Sequence, residues 1–215
     1  MIIYYIARPL FALLFFLFYR IQVFGNKSLT KEGAVITPNH ASYYDGIVVQ
    51  LSIKGPVYHF VKASLFQSKF SNFLMRSIHC IPVAKRKNNL SSIKEATDLV
   101  KKGNKLVIYP EGTRTPDGNL QPGQSGAGML VISLGVPAIP VYVANTYKIF
   151  NRHMKIPKLF KKIPVVFGSP IYFDDIRKDS SLTNKEAYQK AVDRIMDRIA
   201  HLKTWYENGC VGEAP

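Results

Sequence analysis

Cysteine is scarce: the 215 residues hold two, Cys80 and Cys210, far apart in the chain. Two thiols make neither a disulfide scaffold nor a four-ligand zinc site, and the simplest reading is a reduced, cytosol-facing protein. Cys80 follows His79, but the run Ile81-Pro82-Val83 marks it for burial. A buried cysteine acts as a small hydrophobe rather than as half of a Cys/His nucleophile pair. Acids are also few, 14 against 29 basic residues, for a formal net charge of +15. That surplus calls for an anionic partner: a membrane surface, a nucleic acid or a phosphorylated substrate. No zinc-ligand set, nucleic-acid-binding motif or strand of interleaved aromatics and cations is present, which argues against nucleic acid. No internal repeat and no low-complexity linker divides the chain, so one domain with a substantial core is the default.

Aromatic residues concentrate with Leu and Ile in the first 24 positions, which favours membrane. As a helix, Ile2 to Tyr19 would span about 27 Å, slightly under the ~30 Å hydrocarbon core. Arg8 and Pro9 interrupt it, one costly at mid-bilayer and the other a helix kink. A helix or helix pair dipping into one leaflet fits better than a clean span, with Arg8 and Arg20 reaching for lipid phosphates. A cleaved signal peptide lacks its small-residue cleavage site after Tyr19-Arg20. A helix buried in the protein's own core is the other reading. Residues 1–24 are accordingly set apart as a membrane-associating helical segment and 25–215 as an α/β domain.

Beyond it, strands are expected at 21–24, 34–37, 57–61, 80–83, 105–109, 138–143 and 165–167, and helices at 64–78, 91–102, 127–134 and 185–203. Ala187, Ala191, Ile195 and Ile199 form one row of the last helix and read as core packing. The alternation implies an α/β fold, a largely parallel mixed sheet flanked by helices. Asn151 to Lys162, basic with interspersed Ile, Leu and Phe, suits either a loop against lipid headgroups or an ordinary solvated loop.

Two polar turns follow buried strands, where α/β proteins build sites. The first is Thr37-Pro38-Asn39-His40-Ala41-Ser42-Tyr43-Tyr44-Asp45-Gly46. A neutral imidazole takes a proton near pH 7, and a carboxylate on its other nitrogen holds the tautomer. Five residues are about 140° apart on a helix, so His40 and Asp45 meet only with His40 in the turn and Asp45 on the following helix. Otherwise they are a helix-start histidine and an exposed first-turn acid. The second turn is Glu111-Gly112-Thr113-Arg114. Gly112 permits close backbone approach, Thr113 adds a hydroxyl, Arg114 offers a fork matched to phosphate, and Glu111 orients Arg114 or a substrate hydroxyl. Lys85 and Arg86 follow another strand and could add charge at the same edge. No second His or carboxylate sits at ligand spacing near His40, which argues against a metal-dependent hydrolase.

From about Ile21 to Ile171 the chain resembles the phospholipid/glycerol acyltransferases, in particular the 1-acyl-glycerol-3-phosphate acyltransferases. Asn39-His40 with Asp45 resembles their NH-x4-D motif, residues 111–114 their EGTR motif, and Val136-Pro137-Ala138-Ile139-Pro140-Val141 their final V-P-x-x-P-V element. The second block departs: His79 stands near an expected glycine, and Ala84-Lys85 where Asp-Arg is expected, with Arg86 one residue displaced. The resemblance implies His40 as general base toward a glycerol hydroxyl that attacks an acyl thioester, with Asp45 polarising it. Arg114, with Lys85 or Arg86, would bind the acceptor phosphate. Ser42 could form an acyl-enzyme, although a hydrogen-bonding or capping role is preferred. The acceptor would be lysophosphatidic acid, or another lysophospholipid, glycerol-3-phosphate or an amino-acid lipid. The donor would be acyl-CoA or acyl carrier protein, with no cofactor or metal, at an anionic membrane surface on its cytoplasmic face. A non-catalytic membrane-binding protein of the same fold is the reading from another class.

Overall fold

A computed structural model describes residues 2–25, 32–83 and 90–215. The chain opens with helix α1 (Ile2–Phe18) and strand β1 (Tyr19–Gly25), then β2 (Ala34–Pro38), α2 (Asp45–Ser52) and β3 (Val57–Lys62). A 3-10 turn (Ala63–Phe66) precedes α3 (Lys69–Ser77), followed by β4 (Cys80–Val83), α4 (Leu90–Lys101), β5 (Lys105–Val107) and α5 (Ser125–Leu134). Then come β6 (Ala138–Val143), α6 (Thr146–Phe150), β7 (Lys161–Phe167), α7 (Asp174–Lys178) and α8 (Asn184–Glu207).

The strands form one sheet in the order β1-β7-β6-β2-β5-β3-β4. Every neighbouring pair is parallel except β6 and β7. The expected α/β architecture with a largely parallel, helix-flanked sheet is thus present. Alternation in β2 shows the layering. Val35 faces a core built with residues of α4, α5 and α8, including Ala96, Val131 and Ile195. Ala34 and Ile36 face a second core with Val48, Val49 and Phe15 of α2 and α1. All five β2 residues are buried, as a strand covered on both sides must be. The Ala187–Ile199 row of α8 packs in the first core as expected. α5 lies so close to α8 that a Cβ on Gly128 would run into the Tyr188 carbonyl.

Several local expectations change. The helix expected at 64–78 is broken, because Ser68 caps α3 and exchanges bonds with Ser71 in a capping box. The N-terminal segment is one helix with Pro9 inside it, not a helix pair, and its helical part ends at Phe18. Tyr19–Gly25 instead joins the sheet beside β7. Arg8 does not reach outward: its Nη2 donates to the Ile53 carbonyl at 2.8 Å, tying α1 to the end of α2. α1 nevertheless leaves Phe16 82 % exposed, with Leu13, Leu14 and Leu17 also open. Among the described residues no helix is long and apolar enough to cross a membrane. β7 begins at Lys161, earlier than expected, and α6 and α7 are too short for periodicity to reveal.

Candidate active site

β2, β3, β4, β5 and β6 run parallel, so their carboxyl ends open on one edge of the sheet. β2 feeds the His40 turn, β5 the Glu111–Arg114 turn, and β6 leads to α6. β3 ends at the exposed Lys62, a cation at this edge that the sequence reading passed over. Lys85 and Arg86, expected to add charge here, lie outside the described residues.

His40 lies in the turn and Asp45 opens α2, the arrangement that lets them meet. Asp45 is fully buried, not an exposed first-turn acid. Its Oδ2 accepts from His40 Nδ1 at 2.9 Å and from the Ala41 and Ser42 N–H groups at 2.7 and 2.8 Å. Three donors on one oxygen fix the carboxylate. With Nδ1 donating to it, His40 Nε2 keeps the free lone pair that a general base needs. The imidazole is 21 % exposed, open enough to meet a substrate. Its ring stacks on Tyr109, centroids 3.9 Å apart and planes 23° apart.

The two turns are stitched together. Glu111 Oε1 accepts from His40 N–H at 2.8 Å and Oε2 from Gln121 N–H at 3.1 Å, while Thr115 N–H donates to the His40 carbonyl at 2.8 Å. Glu111, expected to orient Arg114 or a substrate hydroxyl, is buried with both oxygens committed to backbone. Burial pushes its carboxyl up to about 7, against the pull of those two N–H bonds. Gly112 and Thr113 stand at the surface, and Gly112 adopts φ +68°. That left-handed conformation suits glycine. The Arg114 guanidinium lies 3.6 Å from the centre of the Tyr43 ring. Its Nη1 is shielded from solvent and has no hydrogen-bond partner among the described residues.

Ser42 is closed off. Its Oγ donates to the Phe150 carbonyl at 2.7 Å and accepts from Tyr44 N–H at 3.0 Å, and the residue is 1 % exposed. It hydrogen-bonds as preferred but does not cap α2, whose N-cap is Tyr44. Cys80 is buried and its thiol is pushed up to about 11, so it offers no thiolate. His79, near the position where a glycine is expected, has φ +63° and is wedged between the rings of Tyr4 and Tyr58. A left-handed backbone explains a glycine there, and the aromatic sandwich holds the histidine in its place.

The sequence reading missed Tyr43 beneath Arg114 and Tyr109 beneath His40. Tyr43 lies within the first motif and Tyr109 two residues before the second, but position along the chain does not reveal which ring lies under which group. It named Asn39 as a motif residue but gave it no role, and its carboxamide pairs with the backbone of Val143.

The geometry agrees with the comparisons. The family profile described as Acyltransferase matches residues 20–144. The chain is 28 % identical over 174 residues to "1-acyl-sn-glycerol-3-phosphate acyltransferase BAT2, chloroplastic" of Brassica napus, covering 79 % of this chain and 50 % of that one. It thus spans about half the length of that relative. Against the "1-acyl-sn-glycerol-3-phosphate acyltransferase" of Bacillus subtilis it is 27 % identical over 187 residues, 85 % of this chain and 88 % of that one. A crystal structure of the 1-acyl-sn-glycerophosphate (LPA) acyltransferase PlsC from Thermotoga maritima superposes with a TM-score of 0.65 at 22 % identity, covering 90 % of this chain and 75 % of that chain. That likeness concerns the fold. The profile match extends over more than half of the chain and includes both polar turns, and the protein belongs to the Acyltransferase family.

Proposed function

We propose that the protein transfers a fatty acyl group from an acyl thioester to the free sn-2 hydroxyl of 1-acyl-glycerol-3-phosphate, giving phosphatidic acid. The observation that carries this reading is the buried Asp45 bonded to His40 Nδ1, with Arg114 laid on Tyr43 of the same turn. His40 Nε2 takes the hydroxyl proton as that oxygen attacks the thioester carbonyl, and the thiolate leaves as the tetrahedral intermediate collapses. Asp45 stabilises the imidazolium. The acceptor supplies the nucleophile, so the enclosed Ser42 is not required. Arg114 binds the acceptor phosphate with its guanidinium, and fixing the acceptor there removes much of the entropic barrier. Glu111 braces the His40 turn and does not touch substrate. Acyl-CoA or acyl carrier protein is the donor.

The enzyme works at the cytoplasmic face of an anionic membrane, with the exposed apolar side of α1 against lipid. The +15 charge and the two unpaired cysteines support that placement.

The test is mass spectrometry of products from the purified protein in mixed micelles, offered 1-acyl-glycerol-3-phosphate with either donor, alongside His40→Ala. Phosphatidic acid from the wild type alone is expected. No product with either donor, from folded protein, overturns the reading.

A further inference from the structure

The acids of this chain are segregated. No Asp or Glu falls between Asp45 and Glu95 or between Asp117 and Asp174, and only Glu32 precedes Asp45. The acid-free stretches supply α1, α3, α6 and the segment from Asn151 to Phe160. Most acids lie on α4, α7 and α8. α4 and α8 pack on the opposite face of the sheet from α1 and α2.

Within the acid-free side, the segment after α6 is built to be displayed. Ile156 is 78 % and Phe160 75 % exposed, and Lys155, Lys158, Lys161 and Lys162 around them are exposed too. Phe160 has φ +57°, a conformation that a bulky side chain adopts only under constraint. Its N–H donates to the Phe18 carbonyl at 2.8 Å, and the two rings lie 5.9 Å apart. An aromatic residue held under strain and turned to solvent adds little to the core, so its position calls for an external contact. Across Phe18 the apolar surface continues along the outer side of α1. At its other end the segment is fastened to the catalytic edge. Arg152 Nη1 donates to the Arg114 carbonyl at 3.1 Å, and Tyr147 OH to the Pro116 carbonyl at 2.8 Å.

We propose that residues 151–162 form a wedge that inserts into an anionic lipid surface and braces the Arg114 turn against it. Ile156 and Phe160 enter the boundary between headgroups and acyl chains, and the four lysines pair with lipid phosphates. Each lysine held near such a surface adds roughly fivefold to binding. Continuity with the apolar side of α1 selects a bilayer over an acidic carrier protein, which would meet the cations without needing the exposed side chains. The proposal rests on the acyl-transfer reading only for the purpose of the wedge, since its binding requires no turnover.

The test uses the full chain carrying Phe160→Gly, Ile156→Ser or both. Phe160→Gly relieves the left-handed strain, so its thermal midpoint should equal or exceed that of the wild type. Co-sedimentation is measured with vesicles of phosphatidylglycerol and phosphatidylcholine and with phosphatidylcholine alone. The wild type should prefer the anionic vesicles, and the double variant should bind them at least ~10-fold more weakly. Transfer to vesicle-borne acceptor should fall in parallel, and transfer to a short-chain, water-soluble acceptor should not. If neither acceptor is acylated but vesicle binding falls, the wedge stands and the reaction reading fails. Wild-type vesicle binding by the double variant overturns the wedge. Normal vesicle binding with a raised KM for acyl carrier protein likewise overturns it and assigns the face to an acidic protein.

Discussion

The Asn39 side chain pairs with the Val143 backbone as a residue of an antiparallel strand would. The Asn39 carboxamide oxygen accepts from Val143 N–H at 2.7 Å, and its nitrogen donates to the Val143 carbonyl at 3.2 Å. β2 ends at Pro38, in register with Val141 of β6. The side chain therefore continues the ladder while the backbone turns away to present His40. Asn39→Ala should leave both Val143 groups buried and unpaired, at about 1–3 kcal/mol each. Urea denaturation should show that loss, and wild-type stability in the variant would refute this role.

His40→Ala should lower turnover by ~10²–10⁴ if the imidazole is the base. Asp45→Asn should produce a loss of the same order, because an amide removes the charge that stabilises the imidazolium. Circular dichroism should match the wild type in both. Normal activity in folded His40→Ala would remove the imidazole from the mechanism.

Arg114→Ala should raise KM for the phosphorylated acceptor far more than for the acyl donor. Tyr43→Ala keeps the guanidinium but removes the ring beneath it, a contact worth ~0.5–2 kcal/mol. It should therefore raise the acceptor KM by roughly 2–30-fold with a smaller effect on kcat. Equal changes for donor and acceptor would point to a folding role.

Glu111 gives stability a pH dependence. Burial raises its carboxyl from 4.5 to about 7. A raised carboxyl contributes stability that is complete below its unfolded value and is lost as pH rises through the folded value. Wild-type stability relative to Glu111→Gln should therefore fall between about pH 4.5 and 7, by on the order of 3 kcal/mol. Urea melts of both proteins across that range test this, and a difference that does not change with pH would refute it.

Much of the fold was legible. Val35-Ile36 and Leu106-Val107 read as buried strands because a sheet covered on both faces leaves apolar runs. The row in α8 read as core because its spacing matches the helical turn. The break before α3 was missed because Ser68 forms its box with another serine, whereas the usual sequence signature is Glu or Gln. Arg8 was expected at lipid phosphates, but a nearby carbonyl, Ile53 O, takes its guanidinium. Glu111 could be recognised as important, yet its two backbone partners lie 71 and 10 residues away in the chain.

The sequence by itself determined the layered α/β fold, the two polar turns and the surplus of positive charge, because each is written in local pattern and composition. Tertiary structure decided which groups meet. It set His40 on Tyr109 and Arg114 on Tyr43, turned Glu111 inward as a brace, and used Asn39 to extend the sheet. These contacts depend on strand order, which brings β5 and β6 to either side of β2. Spacing along a chain carries no record of that order.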